Sequence, residues 1–179
     1  GESLMLRRAT LVLAAVVLFA CGSEPPGPLE IGLHDEVSDT FVPLADNDMM
    51  PVILGPNGLN MVVPSLRAQT TNPSAPSPTV TVTVGGILMA ADLAGEPTDM
   101  VADGAGYVLF NLNVPFQTDL CCFNCSLGLV EAKLEDRCGR TFAGQVTVQL
   151  SRNATCPDPS VCCADANACP DPNLTQVCP

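Results

Sequence analysis

Apolar residues in this chain come in short runs separated by turn-forming residues. Thr79–Val84 alternates threonine and valine, a period-2 pattern that sets valines on the core face of a strand and threonines toward solvent. Thr141–Leu150 carries Val146, Val148 and Leu150 on one side and Thr147 and Gln149 on the other. Gly128–Leu134 precedes it, and Glu135-Asp136-Arg137-Cys138-Gly139-Arg140 links the two into a closing hairpin. Met50–Leu54 and Leu59–Val63 flank Gly55-Pro56-Asn57-Gly58, where Asn-Gly supplies the positive φ of a tight hairpin. Tyr107–Val114 reads as one strand, with Val108, Phe110, Leu112 and Val114 on one face. Ile31–Leu33 and Thr40–Leu44 are shorter strands, the second followed by the polar turn Ala45-Asp46-Asn47-Asp48. Gly85–Ala94 stays open: Ile87-Leu88-Met89 suits a strand, and the alanines suit a helical turn. Gln69–Pro78 is a loop by composition, and Gly104–Gly106 is a turn. Beyond the first 20 residues no stretch has helical amphipathic spacing.

Seven or eight short strands within Leu29–Ser151, closed by a hairpin, resemble an immunoglobulin-like antiparallel β-sandwich. A jelly roll or small barrel is the alternative. The expected fold class is therefore all-β, with an irregular Cys-rich tail over residues 152–179. There is no Trp, and Tyr107 is the one Tyr. The resemblance thus lacks the antibody-type core Trp, and the core rests on Val, Leu, Ile, Met and a few Phe.

The N-terminal stretch follows different rules. Met5 reads as the start, Arg7 and Arg8 form a basic head, and Ala9–Ala20 carries no charge. A basic head, a short apolar centre and a small residue before a cut make the signal-peptide pattern. The run is shorter than the ~18 apolar residues a spanning helix needs. A buried core helix and a plain secretory signal are the rival readings. Leu18-Phe19-Ala20-Cys21 resembles a lipobox, the signal of bacterial lipoproteins. That resemblance implies cleavage between Ala20 and Cys21, a diacylglycerol on the Cys21 sulfur and an acylated amine. Several chains then make a lasting anchor, at ~0.8 kcal/mol per buried methylene. Gly22 in place of Asp implies the outer membrane. The expected organisation is a signal peptide at 1–20, a lipid-anchored linker at 21–28, a β-domain at 29–151 and a Cys/Pro-rich tail at 152–179.

Charge removes whole classes of partner. The full chain has net charge −12, and without residues 1–20 it has 5 basic and 18 acidic residues, or −13. Nucleic acid and anionic lipid headgroups both call for a basic face. The expected partners are instead the membrane, through the N-terminal lipid, and an envelope protein or glycan.

Ten cysteines belong to an oxidising compartment. Beyond Cys21 the disulfide candidates are Cys121, Cys122, Cys125, Cys138, Cys156, Cys162, Cys163, Cys169 and Cys178. Nine is odd, so one is free or bridges outward. Neighbours Cys121-Cys122 and Cys162-Cys163 are too close along the chain to pair with each other. A straight strand after Cys125 holds it far from Cys138, while the returning strand delivers Cys156 beside Cys121, Cys122 and Cys125. The tail is therefore expected to be stapled to that cluster, with Cys138 as the odd thiol. Cys122-Phe123-Asn124-Cys125 also has redox C-x-x-C spacing, but it precedes a strand rather than a helix. A zinc site would want a second such pair.

The other constellations read as surface. Asp46-Asn47-Asp48, and Asp99 with Asp103-Gly104, lack the longer EF-hand pattern. His34-Asp35-Glu36 reads as an exposed strand end. Ser65, Ser126 and Ser151 have no nucleophile-elbow context. No catalytic, cofactor or metal residue is expected. The chain resembles lipoproteins of cysteine-rich, large-genome Gram-negative bacteria. The function this implies is a lipid-anchored cell-envelope protein with a structural or binding role and no catalysis. The competing class is an exported thiol-redox or metal-binding protein using Cys122 and Cys125. A secreted adhesion module without lipid is the third.

Overall fold

A computed structural model of the chain describes residues 25–69, 71–93, 95–104, 106–117 and 126–152. The signal segment, Cys21, residues 118–125 with Cys121, Cys122 and Cys125, and the tail with its five cysteines lie outside them.

The described residues form twelve strands and no helix. They are β1 (Leu29–Asp35), β2 (Thr40–Pro43), β3 (Met49–Leu54), β4 (Asn60–Val62), β5 (Ser65–Ala68) and β6 (Ser77–Val84). Then come β7 (Ile87–Asp92), β8 (Val101–Asp103), β9 (Gly106–Leu109), β10 (Val114–Pro115), β11 (Leu127–Glu135) and β12 (Thr141–Arg152). One sheet has the order β2-β1-β5-β9-β8 and the other β10-β4-β3-β12-β11-β6-β7. All pairings are antiparallel except β3 with β12. The larger sheet bends until its ends meet: Ala90 bridges Phe116, and the Gln117 N–H donates to the Met89 carbonyl at 2.9 Å. Two sheets thus enclose one core in a sandwich that is partly a barrel.

The alternating pattern decides the faces. On β6, Val80, Val82 and Val84 are buried and the threonines are half-exposed. On β12, Val146, Val148 and Leu150 point inward, and β11 matches them with Val130, Ala132 and Leu134. The smaller sheet contributes Leu29, Ile31, Leu66, Ala68 and Leu109 to the same core. At ~25 cal/mol per Å² of apolar surface, this burial is the main source of stability.

Several expectations need correction. Tyr107–Val114 is not one strand. Asn111 sits at φ 58 and breaks it, so β9 ends in the smaller sheet and β10 begins in the larger. The strand count exceeds seven or eight because short β5, β8 and β10 carry too few residues to show a period. The β3–β4 hairpin is present, but only Gly58 has positive φ (79) in its Gly55–Leu59 loop. Its turn closes through the Gly58 N–H to the Gly55 carbonyl at 2.9 Å, with Pro56 preset for the first corner. The open stretch after Gly85 is strand β7. Gly85 (φ 58) and Gly86 (φ 82) make the two-residue turn that joins it to β6. A register shift between Val82 and Thr83 lets the consecutive Met89 and Ala90 both face inward.

Candidate functional site

The seam where the larger sheet closes carries a cleft of about 560 Å³. Its walls come from the β3–β4 loop (Pro56, Asn57), from Met61 and Pro115 on paired β4 and β10, and from Ala91, Asp92 and Leu93 at the end of β7. Asn113 and Gln117 complete it. The volume lies in the range of small-ligand sites. Its chemistry is apolar side chains with three amides and one carboxylate. Such a lining can hold hydroxyl or amide groups. The sequence reading passed over these residues, because the cleft exists only once β4, β10 and β7 meet.

A second constellation ties two loops together. Asp136 follows β11, and its side chain is fully buried. Its Oδ1 accepts from the Cys138 and Arg140 N–H groups at 2.9 and 3.0 Å. Its Oδ2 accepts from Arg140 Nε at 2.8 Å, from Arg140 Nη2 at 2.6 Å and from the Ser74 N–H at 3.4 Å. The Arg137 N–H donates to the Ser74 carbonyl, and Arg140 Nη2 to the Asn72 carbonyl. Burial by itself would raise the Asp136 carboxyl. The Arg140 guanidinium and the N–H groups of Arg140, Ser74 and Cys138 outweigh it and hold the group below the usual carboxylate range. This is a structural clamp, not an acid or base.

Cys138 sits in the same turn and is disulfide-bonded. It is therefore not the odd thiol that spacing suggested. Strand spacing separated it from Cys125 and said nothing about the reach of the tail. Its partner lies outside the described residues, as do all nine other cysteines.

His34 also departs from expectation. Its side chain is 15% exposed, not a free surface group. It stacks on Phe110 with ring centroids 4.3 Å apart. Asn111 Nδ2 donates to Nδ1 at 3.1 Å, and Nε2 pairs with Asp39 Oδ1 at 2.9 Å. Asp39 (φ 53) and Asn111 (φ 58) both adopt the left-handed backbone that Asp and Asn tolerate. Both ring nitrogens are thus engaged, which fixes the orientation of the imidazole. In the same turn the Ser38 hydroxyl, then the Val37 N–H, lower the Asp35 carboxyl.

The acidic turns act as caps. Asp46 Oδ1 accepts from the Thr147 N–H at 3.0 Å, Asp48 Oδ2 from Ala45 at 2.8 Å and Asp103 Oδ2 from Phe41 at 3.4 Å. On the outer face of the smaller sheet, Arg67 pairs with Glu30 at 2.6 Å and lies 4.5 Å from the Phe41 ring centroid. Among the described residues no group of three or more His, Cys, Asp or Glu side chains could hold a metal ion.

No protein-family model matches this chain, and a search of curated proteins finds no significant relative.

Proposed function

We propose that the protein is a lipid-anchored component of the bacterial cell envelope, built on an immunoglobulin-like domain, with a structural or binding role. The observation that carries the reading is Leu18-Phe19-Ala20-Cys21 at the end of a basic-headed apolar run. Outer-membrane placement follows from Gly22 after the acylated Cys21. Residues 25–28, three of them proline, then lead without regular structure into β1, and the Pro28 carbonyl accepts from Gln69 at 3.4 Å. That is the tether-then-domain order of a surface anchor.

The immunoglobulin-like assignment draws on strand order. The run β1-β5-β9-β8 follows the A-B-E-D order of such domains, and β12-β11-β6-β7 follows G-F-C-C′, in the same sequence along the chain. Strands β2, β3, β4 and β10 are then additions around that frame. The seam cleft, with Asn57, Asn113 and Gln117, is the concavity that a partner's side chain or sugar would enter.

Metabolic labelling with a fatty-acid analogue tests the anchor. The parent is expected to take up label and the Cys21→Ser variant to take up none. An unlabelled parent defeats the proposal. Partition into the aqueous phase of a detergent extraction would favour the secreted module instead.

A further inference from the structure

We propose that the seam cleft binds a neutral acetamido sugar, with the acetyl methyl on its apolar floor and the amide and hydroxyls at its rim. The inference deepens the binding role proposed above and rests on it. The floor comes from strand pairing. Met61 and Pro115 are direct partners on β4 and β10, so their side chains share one face of the sheet. Their neighbours Val62 and Val114 point into the core, which sets Met61 and Pro115 on the outer face. Met61 is only 6% exposed, and Pro115 and Ala91 are half-buried beside it. Gly55 makes room for this floor. A methyl built on it would stand 2.1 Å from Met61 Cε, so the thioether lies where only a glycine leaves space.

The rim is polar. Asn57, Asn113 and Gln117 are exposed around the floor. Asn57 Oδ1 accepts from the Leu59 N–H at 3.2 Å, which leaves its NH2 end to donate. A side-chain amide carries two donors and an acceptor oxygen, the complement of the N–H and C=O of an acetamide. Charge then selects among sugars. Asp92 is the one charged lining residue, and the whole chain has net charge −12. Phosphosugars and uronates are repelled by that field. A bare ammonium would be desolvated against the floor, and a plain hexose brings no methyl to cover it.

The backbone argues against an extended peptide, which is commonly held by adding a strand to an open sheet edge. At the seam those groups are spent on each other. The Phe116 N–H donates to the Asn60 carbonyl and the Gln117 N–H to the Met89 carbonyl, each at 2.9 Å. What remains is side chains around a concavity of about 560 Å³, the setting of a compact ligand.

NMR titration of the full mature chain tests this, with N-acetylglucosamine, glucose, glucuronic acid and N-acetylalanine methylamide as separate probes. N-acetylglucosamine is expected to saturate. Glucose should bind about tenfold more weakly, having lost the amide's hydrogen bonds and the methyl, and glucuronic acid more weakly still. Asn113→Ala and Gln117→Ala change exposed side chains. Each should weaken N-acetylglucosamine several-fold, with thermal melts unchanged. Gly55→Ala displaces the flexible end of Met61 and should erase most of the preference over glucose. No saturation by N-acetylglucosamine, equal binding of glucose, or tighter binding of glucuronic acid or the peptide mimic overturns the assignment. So does full affinity in both rim variants, or a full preference in Gly55→Ala. All these results leave the lipid anchor standing. An unlabelled parent that still binds N-acetylglucosamine defeats the anchor and leaves the cleft.

Discussion

Replacing Asp136 with alanine should cost about 3–4 kcal/mol of folding stability at neutral pH. The carboxylate is fully buried, and its partner Arg140 has a side chain only 14% exposed. Deleting one member of such a pair strands the other, at about 3–5 kcal/mol where the survivor is wholly buried. Arg140 keeps some water, which favours the lower part of that range. The N–H groups of Cys138, Arg140 and Ser74 also lose their acceptor, and each unmet buried donor adds to the penalty. Against a typical total of 5–15 kcal/mol, the clamp accounts for a large share. The pH dependence carries a sign. Because the folded carboxyl is held below its ordinary value, its contribution is present above the unfolded value of about 3.9. It fades as pH falls through that value toward the folded one. Urea unfolding of parent and Asp136→Ala from pH 7 to 3 measures this. The gap between them should be full at pH 7 and should shrink below about pH 4, with similar m-values. A gap under about 1 kcal/mol at pH 7, or one that stays constant into acid, would refute the clamp.

Two further substitutions probe the frame. Gly144→Ala would drive a methyl into the Leu29 carbonyl where β1 crosses β12, and should lower stability by about 2–3 kcal/mol in thermal melts. A variant as stable as the parent would mean the crossing is looser than described. Val82→Ala removes fully buried methyls and should cost about 2 kcal/mol, while neighbouring Thr81→Ala on the half-exposed face should cost under about 1 kcal/mol. Equal costs in denaturant midpoints would contradict the assigned faces of β6.

Much of this protein was legible along the chain, because a strand's two faces are written into alternate residues. Thr79–Val84 showed its type and buried side by period alone, Thr141–Leu150 showed the division of its two faces and Gly128–Leu134 its strand character, and they became the three central strands β6, β11 and β12. The same rule failed for β5, β8 and β10, whose two to four residues carry no period. It also misread Tyr107–Val114, where the left-handed Asn111 moves the chain between sheets. No local pattern could reveal the seam cleft or the His34–Asn111 contact, since their residues are brought together by sheet closure and by a 77-residue separation in sequence. The clamp falls between these cases. Asp136 and Arg140 stood in view within one turn, yet only the approach of Asn72 and Ser74 from the β5–β6 loop buries the carboxylate and makes the pair matter. Local alternation decides which side of a strand faces inward; closure in three dimensions decides which distant groups lose their water, and with it which of them hold the fold.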